Sequence, residues 1–285
     1  MLETVMIHHV ARHTDARIGP RATYVVTPSQ LKGYLEQRRN WEAVPCGPEI
    51  ERASDTQRFL VSFDDGYRNN LTEALPVLEK HGVPCVLFVT TGFAKGDVYP
   101  YELELADVIS GAEKLHLPDR KACIELQGER ARSILYKQVR LPLKARTQKR
   151  REDFMRELAA LNCYDREDFQ SEEMLSMSEV KALSQHPLVT IGAHTHTHVL
   201  LSRQSWNNAY VEMKRSKKIL ESAIGEKVNS FSYPYGGNTF MVRLLARYIG
   251  FKYAFSTKAR WARRIRSHNR LAIPRIDING LVEDE

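Results

Sequence analysis

The chain has little cysteine, no paired-cysteine spacing and no long apolar run, and each of these removes a class of protein. Four cysteines in 285 residues (Cys46, Cys85, Cys123, Cys163) stand far apart with no C-x-x-C spacing, which fits reduced thiols better than a disulfide framework or a zinc knuckle. The longest apolar stretch, VPCVLFVTTGFA from Val83, is broken by Pro84 and Gly92 and falls short of the ~20 residues that a bilayer-spanning helix needs. The first residues, MLETVMIHHVARH, lack a basic segment followed by a long apolar core, so the expected location is the cytoplasm, extending to the inner face of the membrane. No internal repeat or low-complexity tract stands out.

With 42% hydrophobic and 27% charged residues, the chain has enough apolar content for a full core. Its formal charge of +7 is unevenly placed: nine Lys or Arg and no acid from Arg130 to Arg151, six and no acid from Lys258 to Arg270. Such blocks are ordinarily solvated faces; the functional reading is attraction of an anionic carbohydrate or of a membrane surface. Nucleic acid is not expected, because no recognisable binding module accompanies the charge.

Short apolar, β-branched runs alternate with helical patterns, as in a parallel sheet built from βαβ units. Seven strands are predicted, at 4–10, 58–63, 83–90, 188–193, 228–233, 251–256 and 271–276. Thr27 and Pro28 read as the cap and first position of a helix with Leu31, Tyr34 and Leu35 on its apolar stripe. Leu71, Ala74, Leu75 and Leu78 stripe a second helix, despite Pro76, up to Gly82. From Ser205 a longer helix places Trp206, Tyr210, Met213, Leu220 and Ile224 on one core-facing stripe and stops at Gly225. Between about 100 and 175 the strand signal disappears; this basic, mainly helical segment is expected to be an insertion, with apolar residues too sparse for its own core. The expected fold is α/β, an irregular (β/α)7 barrel forming a single domain over 1–285, with chemistry gathered where strands end.

Only ten histidines occur, yet three fall within IGAHTHTHVLL. A helical turn after Ala193 would put His194 and His198 at i and i+4, on one face, to bind a single metal ion; an extended chain would align His194, His196 and His198 instead. Thr195 and Thr197 suit a turn, which favours the first arrangement and leaves His196 outside the ligand set. Two imidazoles want a carboxylate as third ligand, and SFDDG, directly after a strand, offers Asp64 and Asp65. D-G alone marks a turn, but adjacent carboxylates at a strand end are best tolerated beside a cation. One can ligate while the other takes a proton from water activated by the metal, which is the chemistry of a hydrolase.

VSFDDGYRNN, IGAHTHTHVLL and FSYPYGG closely resemble the first three motifs of the polysaccharide deacetylases of carbohydrate esterase family four, and LPVLEKHGVPCVLFVTTGF resembles the same family. The resemblance implies that Asp64 is the general base, that Asp65, His194 and His198 hold the metal, and that the backbone N–H of Tyr235 helps bind the oxyanion. Two departures stand out. Ser232 occupies the place where the third motif often begins with Arg, and the C-terminal region ends in LAIPRIDING without the Leu-x-His that supplies the acid. MIHHV is similar to the opening of a permuted subgroup whose acid histidine comes from the N-terminal strand; His8 aligns with it, and His9 stays open as its neighbour. Arg275 resembles a recurrent arginine of that subgroup, expected to hold Asp64 ionised in place of the arginine missing at Ser232.

The implied function is metal-dependent removal of an N-acetyl group from an amino sugar, in a polysaccharide or in a nucleotide- or lipid-linked precursor. Zinc fits the ligand set, and other divalent ions tolerate it. Hydrolysis of a formyl or other amide on the same metal site, and a non-catalytic carbohydrate-binding barrel, are the competing readings.

Overall fold

A computed structural model of the chain describes all residues except 15, 121–122, 167–172, 263–264 and 283–285. Arg263 and Arg264 of the second basic block, and the stretch 167–172 of the expected insertion, therefore lie outside the described residues. The strands are β1 (Leu2–Ile7), β2 (His9–Val10), β3 (Val25–Val26), β4 (Glu42–Ala43), β5 (Arg58–Phe63), β6 (Cys85–Val89), β7 (Lys114–His116), β8 (Cys123–Glu125), β9 (Val189–Ala193), β10 (Ser230–Ser232), β11 (Tyr253–Phe255) and β12 (Ile276–Asp277). The α-helices are α1 (Pro20–Thr23), α2 (Pro28–Gln37), α3 (Leu75–His81), α4 (Thr91–Ala94), α5 (Tyr101–Ser110), α6 (Gly128–Lys144), α7 (Gln148–Leu161), α8 (Met177–Ser184), α9 (Trp206–Ile224) and α10 (Phe240–Ile249).

One parallel sheet runs in the order β11-β10-β9-β6-β5-β1-β12, with β4 beside β5. Ile273 bridges Phe255 while Ile276 pairs Val5, so the stretch before β12 links the last strand to the first and curls the sheet into an irregular barrel. Alternate residues serve two cores, as the two-residue period of a strand dictates. Cys85, Leu87 and Val89 pack under the surrounding helices with Phe59, Val61 and Phe63. Val86 and Phe88 meet Leu60, Phe255 and Ile273 in a separate cluster. The same alternation puts Ser62 and then Asp64 in line with Leu60.

The seven expected strands are all present, with shorter bounds at most of them. The first breaks at His8, and of the last only the Ile273 bridge and Ile276, the first residue of β12, are paired, since Pro274 has no N–H for a ladder. Thr27 caps α2 through a reciprocal box with Gln30. Pro76 is harmless because α3 starts at Leu75, after a wider π-turn over Asn70–Ala74. Two readings need correction. Trp206, expected on the core stripe of α9, is 55% exposed and stacks on Tyr210; it is the first residue of the helix, beyond the reach of the core. The insertion holds a β7–β8 hairpin and a core of its own, with Leu105, Ile109, Leu115, Tyr136, Val139 and Leu158 packed together. Its apolar residues are sparse in sequence, but helical spacing gathers them on facing stripes.

Candidate metal centre and active site

Most candidate residues sit just past the C-terminal end of a sheet strand: His8 after β1, Asp64 and Asp65 after β5, His194 after β9 and Tyr235 after β10, with His198 four residues beyond His194. Arg275 enters from the segment before β12 and lies fully buried.

Asp65, His194 and His198 converge, with one ligand atom from each within 4.8 Å of the others. Asp65 Oδ1 is 3.3 Å from His194 Nε2 and 3.1 Å from His198 Nε2. It is buried and accepts no hydrogen bond. His194 Nδ1 donates to the Ser232 carbonyl at 2.8 Å, so in the neutral ring Nε2 carries the lone pair. His198 Nδ1 lies 4.0 Å from Glu102 Oε2, which favours the same tautomer. Lone pairs on two nitrogens and an orphaned carboxylate oxygen aimed at one point fit a divalent cation. Burial works to lower the His194 pKa, but the Asp64 and Asp65 carboxylates outweigh it and the net shift is upward.

The histidine segment is not the helical turn expected from its sequence. Thr195 (φ 66) and His198 (φ 55) take left-handed backbone conformations, and this folded loop, rather than a helix, brings His194 and His198 together. Asp65 (φ 71) is left-handed as well. Such conformations in non-glycine residues cost of the order of 1–3 kcal/mol each and persist where surrounding contacts impose them. Here those contacts are visible. Glu212 of α9 accepts from the backbone N–H of His196 and Thr197 at 3.0 and 2.8 Å, and from the Thr197 hydroxyl at 2.8 Å. Arg151 of α7 donates to the carbonyls of His198 and Thr197. Gly92 donates its N–H to the His196 carbonyl at 2.7 Å, and a side chain at Gly92 would collide with that oxygen. His196 is turned away from the triad, buried, and paired with Thr91 Oγ1 at 2.9 Å; burial drops its pKa to about 4.

Asp64 is gripped from behind. Arg275 Nη1 and Nη2 reach its two oxygens at 2.7 Å each, and the Ser232 hydroxyl adds a bond at 3.2 Å. Arg275 also donates to Ser62 Oγ, Ser232 Oγ and the Ser256 carbonyl. Burial pushes the Asp64 carboxyl up, but Arg275 together with His194 and His8 pulls it down, and the result lies below the ordinary value. Serine at 232 thus leaves room for the guanidinium of Arg275.

His8 and His9 separate cleanly. His8 lines the cleft with the triad, its ring 4.9 Å from that of Tyr24. His9 is buried against Tyr67 at 3.6 Å, accepts from Asn69 Nδ2 at 3.2 Å, and is held neutral by burial and by the neighbouring His8, with a pKa of about 3. A group that is neutral throughout the working range is a poor proton donor, and of the two only His8 lines the cleft with the triad.

The cleft has a volume of about 310 Å³ and takes part of its wall from two helices that follow β6: Glu102 of α5, and Arg140 and Lys144 of α6. Tyr235 (φ 58) donates its hydroxyl to Glu102 at 3.1 Å, and its ring lies 4.7 Å from that of His198. Other clefts of about 330 and 660 Å³ have no metal-ligand triad, so the chemistry and not the size marks the site. Sequence reasoning missed Arg151, Glu212, Glu102, Arg140 and Lys144. Arg151 was counted in a basic block expected to be solvated, yet it is 2% exposed.

A barrel with an Asp–His–His triad and a second carboxylate at its mouth defines a class of hydrolase. The polysaccharide deacetylase family profile matches residues 51–117 and 147–254, more than half of the chain, and the chain belongs to that family. Solved structures share the fold. The Streptococcus pyogenes deacetylase PplD, in complex with acetate, superposes with a TM-score of 0.62 at 15% identity over 99% of this chain and 98% of that one. IcaB from Ammonifex degensii gives 0.62 at 17% identity over 97% and 91%. The BpsB deacetylase domain from Bordetella bronchiseptica gives 0.59 at 14% identity over 96% of each chain. No curated protein matches the chain. No helix among the described residues is long and apolar enough to cross a membrane.

Proposed function

We propose that the protein is a metal-dependent carbohydrate N-deacetylase, acting on an acetamido sugar of a glycan or of its nucleotide- or lipid-linked precursor at the cytoplasmic side of the membrane. The observation that carries this reading is the convergence of Asp65, His194 and His198 beside a carboxylate, Asp64, that is not part of the triad.

Asp65, His194 and His198 would hold a divalent cation, zinc by preference, which when bound supplies Lewis acidity to the acyl carbonyl. Asp64 is fixed by Arg275 with its charge intact, ready to accept the proton of the attacking water. The backbone N–H of Tyr235 donates to the oxygen that gains negative charge as water adds to the carbonyl carbon. His8 gives a proton to the amine nitrogen as the C–N bond breaks, leaving acetate and an amino sugar. Burial of the Asp64–Arg275 pair keeps the base from drifting and excludes bulk water from that side of the cleft.

The test is acetate release from N-acetylated sugars by the zinc-loaded protein, compared with Asp64→Asn. The variant is expected to keep one zinc per chain by elemental analysis and to lose acetate release. Undiminished release would remove Asp64 as base; an absence of bound metal in the parent protein would remove the metal centre.

A further inference from the structure

We propose that Lys144, with Arg140 one turn before it, recognises a phosphate or carboxylate group carried by the substrate next to its acetamido sugar. The inference rests on the deacetylase reading above and adds the charge of the substrate and the residue that reads it.

Lys144 ends α6 and Arg140 stands four positions earlier, so both project from one helix face, and both line the cleft that holds the triad. Like charges at this spacing weaken a helix, so the pair calls for compensation. Arg140 has it, in an ion pair with Glu102. Lys144 has no carboxylate within ion-pair distance among the described residues.

The cleft's carboxylates are all engaged elsewhere. Asp64 is bound by Arg275, Asp65 belongs to the triad, Glu102 takes Arg140 and the Tyr235 hydroxyl, and Asp277 accepts from Asn279. The ammonium of Lys144 lies instead over the Tyr235 ring, 4.2 Å from its centroid, and that ring packs on His198. Two ring contacts therefore separate this ammonium, which has no ion-pair partner among the described residues, from His198. An anion reaching Lys144 would lie in the same cleft as the triad.

A lysine at a helix C-terminus also interacts favourably with the helix dipole, which is a purely structural role. That role calls for no position in the cleft and no place above Tyr235. The stretch bearing Arg140 and Lys144 also falls between the two segments that the family profile matches. Lysine acts as a compact point charge toward phosphate, and an anion that also accepted from the Arg140 guanidinium would complete the site.

The experiment is calorimetric titration of the zinc-loaded full chain with N-acetylglucosamine, its 1-phosphate and the matching N-acetylated amino uronic acid. The same titrations are run on Lys144→Met and Lys144→Arg, with zinc content checked in each. The parent protein is expected to bind at least one anionic sugar about tenfold or more tightly than the neutral one; Lys144→Met abolishes that preference and Lys144→Arg retains it. Preference for the 1-phosphate alone assigns a phosphoester, and preference for the uronate alone a carboxylate. Equal affinity for all three sugars, absence of binding included, overturns the proposal, as does a preference that survives Lys144→Met. Acetate release is followed separately: if no sugar is hydrolysed, the deacetylase reading fails while the binding comparison still decides the role of Lys144.

Discussion

Arg275 and Asp64, 211 residues apart in sequence, form a two-pronged ion pair at 2.7 Å with side chains 0% and 3% exposed. Breaking one side of such a pair leaves a charge stranded in the interior, at a cost of about 3–5 kcal/mol. Arg275→Met is expected to lower unfolding stability by that order in urea titration, and the double variant Arg275→Met, Asp64→Asn to recover part of the loss. Additive losses in the double variant would show that the two groups are not coupled.

Removal of the metal should be visible without any substrate. Zinc at a hundred times its dissociation constant is expected to raise unfolding stability by about 2.7 kcal/mol, and the gain should vanish in His194→Ala. A thermal unfolding series with and without chelator reads both.

Glu212 holds three donors of the histidine loop without touching the triad. Glu212→Gln is expected to leave the protein folded and weaken zinc binding about 10–100-fold, the range seen when groups that orient metal ligands are removed. Competition with a coloured zinc chelator measures it; unchanged affinity would mean that the loop is held well enough by Arg151 and Gly92.

The adjacent histidines should behave as opposites. His8→Gln is expected to reduce acetate release about 10²–10⁴-fold with zinc retained, as for loss of a general acid. His9→Gln should act on stability instead. His9 is neutral in the fold, with a pKa lowered from 6.5 to about 3, so below pH 6.5 the unfolded chain binds the extra proton. Stability is therefore drained as pH falls from 6.5 toward about 3, and His9→Gln should flatten that part of the stability profile. An unchanged acid slope in His9→Gln would locate the acid sensitivity elsewhere.

Strands such as RFLVSF were legible because both faces of a parallel strand are covered and the run is almost wholly apolar. Glu42–Ala43 and the β7–β8 hairpin were not, being two or three residues long with polar side chains. The ligand residues could be named from the spacing of HTHTH and DDG, but the backbone that joins them could not. Thr195 and His198 are left-handed without the glycine that would announce it, and what holds them there is supplied by Glu212 and Arg151. A run of basic residues reads the same whether it faces water or, like Arg151, is sealed under a loop. Side chains that act across such sequence distances leave no periodic trace.

Arg151 has a consequence for how the catalytic apparatus is switched on during folding. It lies in α7, outside the strands of the sheet, yet its guanidinium fastens carbonyls of the loop that carries His198. Melting of α7 would release that loop even while the barrel stayed whole, so protease nicking within α7 should silence the site before it unravels the sheet.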